Sequence, residues 1–391
     1  MVGDRRWCVR GVAGMVMLAV LASCVSGPAH GGQDVPPRYG KFSTAHAELQ
    51  HKIGQMLLVG FRGMSVDDAG LVGEQVRAGQ LCGVVLFDVD VLTGEPVRNI
   101  RSPDQVRTLI NGLQHETGGT LLVAVDQEGG RVTRLKEQYG FAPTMSQREL
   151  AQHGVKATRE QAGVTARTLS QLGINVNLAP VVDLDVNPAS PAIGALGRSF
   201  SADAQIVSEH ARAVIEAHHE QGVLTAVKHF PGHGSAAADS HRGFVDISNT
   251  WSEAELDPYR ALIHDGMVDI VMTAHVVNRH LDPEWPATLS PPTITELLRQ
   301  RLGFGGVVMA DDMQMGAIAE HYSLETALRQ AIVAGIDIIT FANNNPRTYE
   351  PDIAPKAINI IAGLVEDGTI SEARIDESVR RIEALKKRLS R

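Results

Sequence analysis

Carboxylates and basic side chains stand directly after several apolar runs of this 391-residue chain. In chain order, the most suggestive of them are Asp126, Lys228, His229, Asp239, His241 and Asp311. A carboxylate can attack an electrophilic carbon, and an imidazole can give a proton to a departing oxygen. If the fold brings these groups together, they predict acid–base chemistry on a polar substrate.

His241 follows Asp239 by two residues, so the carboxylate can accept one ring N–H of the imidazole and hold its tautomer. A solvated Asp-Ser-His turn is the alternative interpretation. A zinc site is another, with the ligands His229, His233, His241 and Asp239. Because Pro231-Gly232 breaks the helix that would place the first two histidines on one face, we predict no metal and no cofactor.

Asp311 and Asp312 are adjacent, and on an extended strand they would point to opposite sides, so that only one faces a site. The alternative is that both cap the following helix, since Asp is a common N-cap residue. Lys228 and His229 have a similar double interpretation, as ligand donors or as a structural ion pair. Gly129-Gly130 is expected to let the backbone turn close to the ligand.

The elements that position these residues are predicted from alternating apolar runs and amphipathic segments. Eight runs predict strands at Met56–Phe61, Cys82–Phe87, Leu121–Val125, Val176–Val182, Leu224–Lys228, Asp269–Ala274, Gly306–Ala310 and Ile336–Phe341. Segments such as Ala157–Leu172, Ala204–Gln221 and Ser323–Ala334 have helical spacing and are followed by glycine. This alternation favours a single α/β domain, a (β/α)8 TIM-like barrel, whose active site lies at the C-terminal strand ends. No GxGxxG or GxxxxGK[ST] motif follows the early strands, which disfavours nucleotide binding.

Four motifs resemble glycoside hydrolase family 3, and within it the single-domain bacterial β-N-acetylglucosaminidases. They are DQEGGRV, the pattern NP..P.IG...RSF, KHFPGHG followed by Asp239-Ser240-His241, and a strand ending in a DD pair. The resemblance implies that Asp311 is the nucleophile, His241 the acid/base and Asp239 its partner. It implies sugar contacts from Asp126, Arg134, Arg198, Lys228 and His229. The stretch Ile193 to Arg198 is longer than the usual link of the family, a difference that would move Arg198, and Ala310 stands where Ser often precedes the DD pair.

The implied reaction is retaining hydrolysis of terminal β-linked N-acetylglucosamine in cell-wall fragments or chitin-type oligosaccharides, through a covalent sugar–Asp intermediate. After eight βα units the chain leaves no room for a second domain, so the proton donor must come from the barrel. Three alternatives stay open: a β-glucosidase, a phosphorylase on the same site, and a lipoprotein that binds sugar without cleaving it. The net charge of −9 provides no basic excess for nucleic acid.

The N-terminus resembles a bacterial lipoprotein export signal. Three arginines precede an apolar run from Val12 to Leu21, which is too short to span a bilayer and ends in Leu21-Ala22-Ser23-Cys24. We therefore expect a signal at residues 1–23, a Gly/Pro-rich tether at 24–42, and the catalytic domain at 43–391. Cys24 would carry the lipid that anchors the enzyme in the cell envelope, and Cys82 would remain unpaired inside a strand.

Overall fold

The structure is a computed structural model that describes residues 44–389. Its centre is an eight-stranded parallel sheet in the order β7-β6-β5-β4-β3-β2-β1-β8. The strands are β1 Leu57–Gly60, β2 Gly83–Leu86, β3 Leu122–Val125, β4 Val176–Asn177, β5 Leu224–Phe230, β6 Ile270–Thr273, β7 Val307–Met309 and β8 Ile339–Phe341. Each predicted strand is present, although all except β5 are shorter than predicted, whereas β5 continues two residues beyond its predicted end to Phe230.

The two terminal strands of this order also meet. Met309 forms a parallel bridge with Ile338, and the Ala310 N–H donates to the Ile338 carbonyl at 2.8 Å. This contact closes the sheet on itself and confirms the predicted (β/α)8 barrel. The strand residues are all buried, and most of them are apolar, as expected for a parallel sheet covered on both faces.

Helices follow the strands around the barrel. They are α1 Thr44–Gly54, α2 Gly70–Arg77, α3 Pro103–Glu116, α4 Gln147–Leu172, α5 Ala204–His219, α6 Asp257–His264, α7 Gly316–Ala319, α8 Leu324–Ala334, α9 Ile353–Glu366 and α10 Glu372–Lys386. A π-helical segment, Pro292–Arg301, precedes β7. None of the helices described between residues 44 and 389 has the length and apolarity needed to cross a membrane.

Local signals set several helix ends. Ser146 and Glu149 form a capping box at the start of α4, which begins ten residues before the predicted segment and is interrupted at Gly154. Gly173 follows α4 and Gly335 follows α8, and both glycines have left-handed backbone. Cys82 is buried directly before β2 and carries a free thiol. Cys24, the predicted signal and the tether lie outside the described residues.

Candidate active site

A cavity of about 300 Å³ opens where the C-terminal ends of the strands meet. The predicted residues that line it are Asp126, Arg134, Arg198, Lys228, His229, His241 and Asp311. They come from the C-terminal ends of four strands, β3, β4, β5 and β7, or from the loops that follow them, and the barrel is what brings them together. Asp239 lies behind His241 and binds it, as described below. Arg198 reaches the cavity even though its preceding link is long.

Lys228 forms the charged floor of the cavity. It lies in β5, two residues before the strand ends, with only 2% of its side chain exposed. Its Nζ donates to Asp126 Oδ1 at 2.8 Å and lies 2.7 Å from Glu128 Oε1. Burial opposes the charge of this ammonium, but the two carboxylates outweigh it and hold the pKa of Lys228 above its ordinary value. Arg134 donates to the other oxygen of Asp126 at 3.4 Å. Lys228 is therefore a member of a structural ion pair and also a residue that lines the cavity, so the two interpretations given from the sequence do not exclude each other.

Arg198 is fixed by a two-point bond to Glu128. Its Nε and one terminal nitrogen donate to the two carboxylate oxygens at 2.8 and 2.7 Å. The same terminal nitrogen lies 3.1 Å from His229 Nε2, and the other donates to the Ala192 carbonyl at 2.9 Å. A guanidinium has five N–H groups, so one remains for a ligand. These hydrogen bonds fix the orientation of Arg198, Glu128 and His229 before any substrate binds.

His229 takes its orientation from Asp183. Its Nδ1 lies 2.7 Å from Asp183 Oδ2, and Arg198 donates to its Nε2, so the neutral ring carries its proton on Nδ1. Asp183 also accepts the backbone N–H of His229 at 3.2 Å and that of His233 at 2.9 Å. Burial would raise the pKa of Asp183, but the histidines and these N–H donors keep it below its ordinary value.

Asp311 and Asp312 follow β7 and both line the cavity. The expectation that only one faces the site is wrong because β7 ends at Met309, so the alternation of an extended strand does not apply. Neither caps α7, whose N-cap is Met315; instead Asp312 Oδ1 accepts the N–H groups of Gln314 and Ala342.

The environments of the two carboxyl groups push their pKa values apart. Burial disfavours ionised Asp311, but the nearby His275, His229 and His241 lower its pKa below the ordinary value. Burial raises the pKa of Asp312 to about 6, and the charge of Asp311 adds to this effect. Asp311 therefore ionises at lower pH than Asp312, and below about pH 6 it is the ionised member of the pair, the state that a nucleophile requires.

His241 and Asp239 form the predicted pair. Asp239 Oδ1 lies 2.8 Å from His241 Nδ1 and also accepts the backbone N–H of His241 at 3.0 Å. Partial desolvation lowers the pKa of His241, but the bond to Asp239 and the charge of Asp311 raise it above its ordinary value. The hydrogen bond from His241 is the largest cause that lowers the pKa of Asp239. With Nδ1 engaged, Nε2 is the nitrogen left to face a substrate.

The segment that carries this pair rests on α7. A side-chain carbon at Gly316 would lie 3.2 Å from the His241 carbonyl oxygen and 3.0 Å from the Gly243 nitrogen. Glycine thus permits a close backbone approach between the turn of His241 and the helix that follows Asp311 and Asp312. This contact places the dyad at the mouth of the cavity.

Two other sequence interpretations need correction. Gly129-Gly130 does not turn toward the ligand: a side chain there would meet the Met145 carbonyl at 2.3 Å and Ser146 at 2.6 Å, so the glycines allow close packing before α4. The histidines of the zinc interpretation bind separate partners, and between residues 44 and 389 no three His, Cys, Asp or Glu residues are grouped as a metal site.

The sequence profile described as "Glycosyl hydrolase family 3 N terminal domain" matches residues 48–385. The chain belongs to glycosyl hydrolase family 3. This glycoside hydrolase is 32% identical over 307 residues to a β-hexosaminidase of Hydrogenovibrio crunogenus, covering 75% of this chain and 79% of that protein.

Two solved structures resemble the chain. One is a glycoside hydrolase family 3 β-N-acetylglucosaminidase from Paenibacillus sp. str. FPU-7, with 35% identity and a TM-score of 0.78 over 88% of this chain, but only 62% of that one. The other is a β-N-acetylhexosaminidase from Beutenbergia cavernae, with 28% identity and a TM-score of 0.77 over 87% of this family 3 chain and 98% of that one.

Three residues that contact the predicted site residues or line the cavity were not among the predicted site residues: Glu128, Asp183 and Asp312. The signal for Glu128 was its spacing, since residues 126 and 128 of an extended segment share one side and both carboxylates bind Lys228. Asp183 ends an apolar run like the other site residues, but its role depends on His229, 46 positions later.

Proposed function

We propose that this chain is a retaining β-N-acetylhexosaminidase that releases terminal β-linked N-acetylglucosamine from cell-wall fragments or chitin-type oligosaccharides. The observation that carries the proposal is the meeting of ionised Asp311 with the Asp239–His241 pair at one cavity. The sugar class is supported by the similar proteins, which are named β-hexosaminidase and β-N-acetylglucosaminidase.

In the first step, a carboxylate oxygen of Asp311 attacks the anomeric carbon on the face opposite the leaving group. The bond to the leaving oxygen breaks, its electron pair stays on that oxygen, and His241 donates its Nε2 proton there. The product is a glycosyl ester of Asp311. In the second step, neutral His241 takes a proton from water as the water oxygen attacks the anomeric carbon, and the Asp311 carboxylate departs. Two displacements give net retention.

The electrostatics suit these roles at the same pH. The lowered pKa of Asp311 keeps the nucleophile ionised, and the raised pKa of His241 keeps the acid protonated to higher pH than a free imidazole. Lys228 uses two of its three donors on carboxylates, which leaves one N–H for a sugar hydroxyl.

The nucleophile is tested by Asp311→Asn, with Asp312→Asn as its matched neighbour. We expect Asp311→Asn to remove nearly all turnover while sugar binding remains, because the amide cannot attack. Asp312→Asn should cost far less, because an amide still accepts the Gln314 and Ala342 N–H groups. Proton NMR of the first-formed sugar checks the stereochemistry: α anomer from a β substrate would contradict retention, and activity abolished by a chelator would indicate a metal.

The acid/base is tested by His241→Ala on two leaving groups. General acid catalysis contributes about 10²–10⁴-fold, and it matters most for poor leaving groups. We expect kcat/KM to fall by that order on natural glycosides and to change little on a dinitrophenyl glycoside, whose leaving oxygen needs no proton. Equal losses on both substrates would assign His241 to sugar binding alone.

The substrate is tested with 4-nitrophenyl N-acetylglucosaminide and 4-nitrophenyl glucoside, each with and without phosphate. We expect hydrolysis of the first to dominate and to be independent of phosphate. A sugar phosphate product would indicate a phosphorylase, preferred cleavage of the glucoside a β-glucosidase, and sugar binding without turnover a non-catalytic lipoprotein.

We also propose that Cys24 carries a lipid that holds the enzyme at the cell envelope. The support is the sequence pattern ending in Leu21-Ala22-Ser23-Cys24 and the Gly/Pro-rich segment after it. An acidic domain gains nothing from an anionic membrane surface, so the acyl chains would supply the affinity. Cys24→Ala should release or mis-process the protein. If the variant fractionates with membranes and migrates like the parent, the proposal is wrong.

A further inference from the structure

Ser240, between the two members of the acid/base pair, points in the opposite direction from His241. Only 3% of Ser240 is exposed, whereas 61% of the His241 side chain is. The hydroxyl oxygen of Ser240 lies 3.1 Å from Nε2 of His233. The middle residue of the Asp-Ser-His turn is thus tied to the beginning of its own loop, where β5 has just ended.

His233 is itself held in place. Its backbone N–H donates to Asp183 Oδ1 at 2.9 Å, and its ring is buried beside His229. Burial lowers the pKa of His233 to about 4, so the ring is neutral at the pH where such an enzyme works. A neutral ring makes one hydrogen bond to Ser240 that does not change with pH in that range.

Asp183 therefore links the cavity-lining residue His229 to the turn that carries the proposed acid/base. It accepts a hydrogen bond from His229, and it also binds the backbone of His233, whose ring contacts Ser240 in that turn. We propose that Ser240 is a positioning residue, whose hydrogen bond to His233 holds the Asp239–His241 pair in place beside a sugar bound at His229. The inference rests on the proposed role of His241 as the proton donor.

The geometry explains why a second attachment is needed. On one side the backbone of the turn lies close to α7 at Gly316. On the other side His241 is exposed, so its own packing does little to hold it. The Ser240–His233 bond is the buried contact from the dyad turn to the β5 end of the barrel.

The test is Ser240→Ala, which removes one hydroxyl and leaves the fold intact. A neutral hydrogen bond contributes roughly 0.5–1.5 kcal/mol, so kcat/KM for an unactivated N-acetylglucosaminide should fall by about 2- to 10-fold. For the dinitrophenyl glycoside kcat/KM should stay at the parent value, because its glycosylation step needs no proton. Ser240→Thr keeps the hydroxyl and should restore most of the loss. His233→Asn breaks the same bond from the other side and should give the same dependence on leaving group.

Ser190→Ala is the matched control. Ser190 is also a buried loop serine, and its hydroxyl has no hydrogen-bond partner among residues 44–389, so both substrates should react as with the parent. Equal losses on both substrates in Ser240→Ala, or no loss, would overturn the positioning role. His241→Ala distinguishes failure of the proposed acid from failure of the role of Ser240. If neither His241→Ala nor Ser240→Ala shows a dependence on the leaving group, His241 is not the acid. If only His241→Ala shows it, His241 is the acid and the positioning role of Ser240 is wrong.

Discussion

Glu255 is a buried carboxyl group that contacts the loop leading from β5 to Asp239 and His241. Its contribution to the free energy of unfolding is predicted to decrease as pH rises, whereas that of a salt-bridged carboxylate increases. Only 1% of Glu255 is exposed, and its Oε2 accepts the Gly234 N–H at 3.2 Å. Burial raises the pKa of Glu255 to about 7, from an ordinary value of 4.5. In the folded protein this group therefore keeps its proton where the unfolded chain has lost it.

The free energy follows from this difference. Each pKa unit corresponds to 1.36 kcal/mol, so ionised Glu255 costs the folded state about 3 kcal/mol. The folded protein binds more protons than the unfolded chain between pH 4.5 and about 7. In that window the contribution of Glu255 makes the free energy of unfolding fall as pH rises, and above it the loss is constant. This is opposite to a salt-bridged carboxylate.

Glu255→Gln removes the titration while keeping the shape of the protonated side chain. We expect the free energy of unfolding of the variant, minus that of the parent, to be about 3 kcal/mol larger at about pH 8 than at about pH 4. Urea unfolding at both pH values measures it, and the difference isolates Glu255 from the other titrating groups.

Glu149→Gln is the control of opposite sign. Hydrogen bonds from the backbone and hydroxyl of Ser146 lower the pKa of Glu149, so its ionised form stabilises the helix cap. The free energy of unfolding of this variant, relative to the parent, should therefore decrease as pH rises. A Glu255→Gln difference that is the same at both pH values, or that moves toward the parent at high pH, would refute the assignment of a protonated buried carboxyl.

Three further outcomes are expected. Asp239→Asn removes the hydrogen bond and charge that raise the pKa of His241, so the alkaline limb of the kcat/KM profile should move to lower pH; an unmoved limb would assign that limb to another group. Glu128→Gln leaves two buried cations short of a charge and should lower the free energy of unfolding by roughly 3 kcal/mol and raise KM, as measured by urea unfolding and steady-state kinetics. Gly316→Ala places a carbon 3.2 Å from the His241 carbonyl, and it should slow natural glycosides more than dinitrophenyl glycosides at unchanged sugar affinity.

The barrel was predictable because its signals are local. Eight apolar runs and the glycines after helices such as α4 and α8 depend on residues close in sequence. The Asp239–His241 pair was predictable for the same reason, since two positions of separation suffice for the hydrogen bond between Asp239 Oδ1 and His241 Nδ1. Strand ends were less accurate: β4 was expected to reach Val182 but ends at Asn177.

The polar network of the site could not be predicted in the same way. Glu128 meets Arg198 across 70 positions, and Asp183 meets His229 across 46, so neither partner can be identified without the closed barrel. The opposite pKa shifts of Asp311 and Asp312 are also tertiary effects, because adjacent identical residues differ only in the groups around them.

The sequence by itself therefore determined the barrel, the family motifs and the types of the candidate catalytic groups, which depend on periodicity and short spacing. Only the tertiary structure decided which carboxyl of the DD pair ionises at lower pH, how Lys228 and Arg198 are neutralised, and which elements contact the Asp239–His241 turn. Those properties arise from distances and desolvation among residues that are far apart in the chain, and chain closure is what creates them.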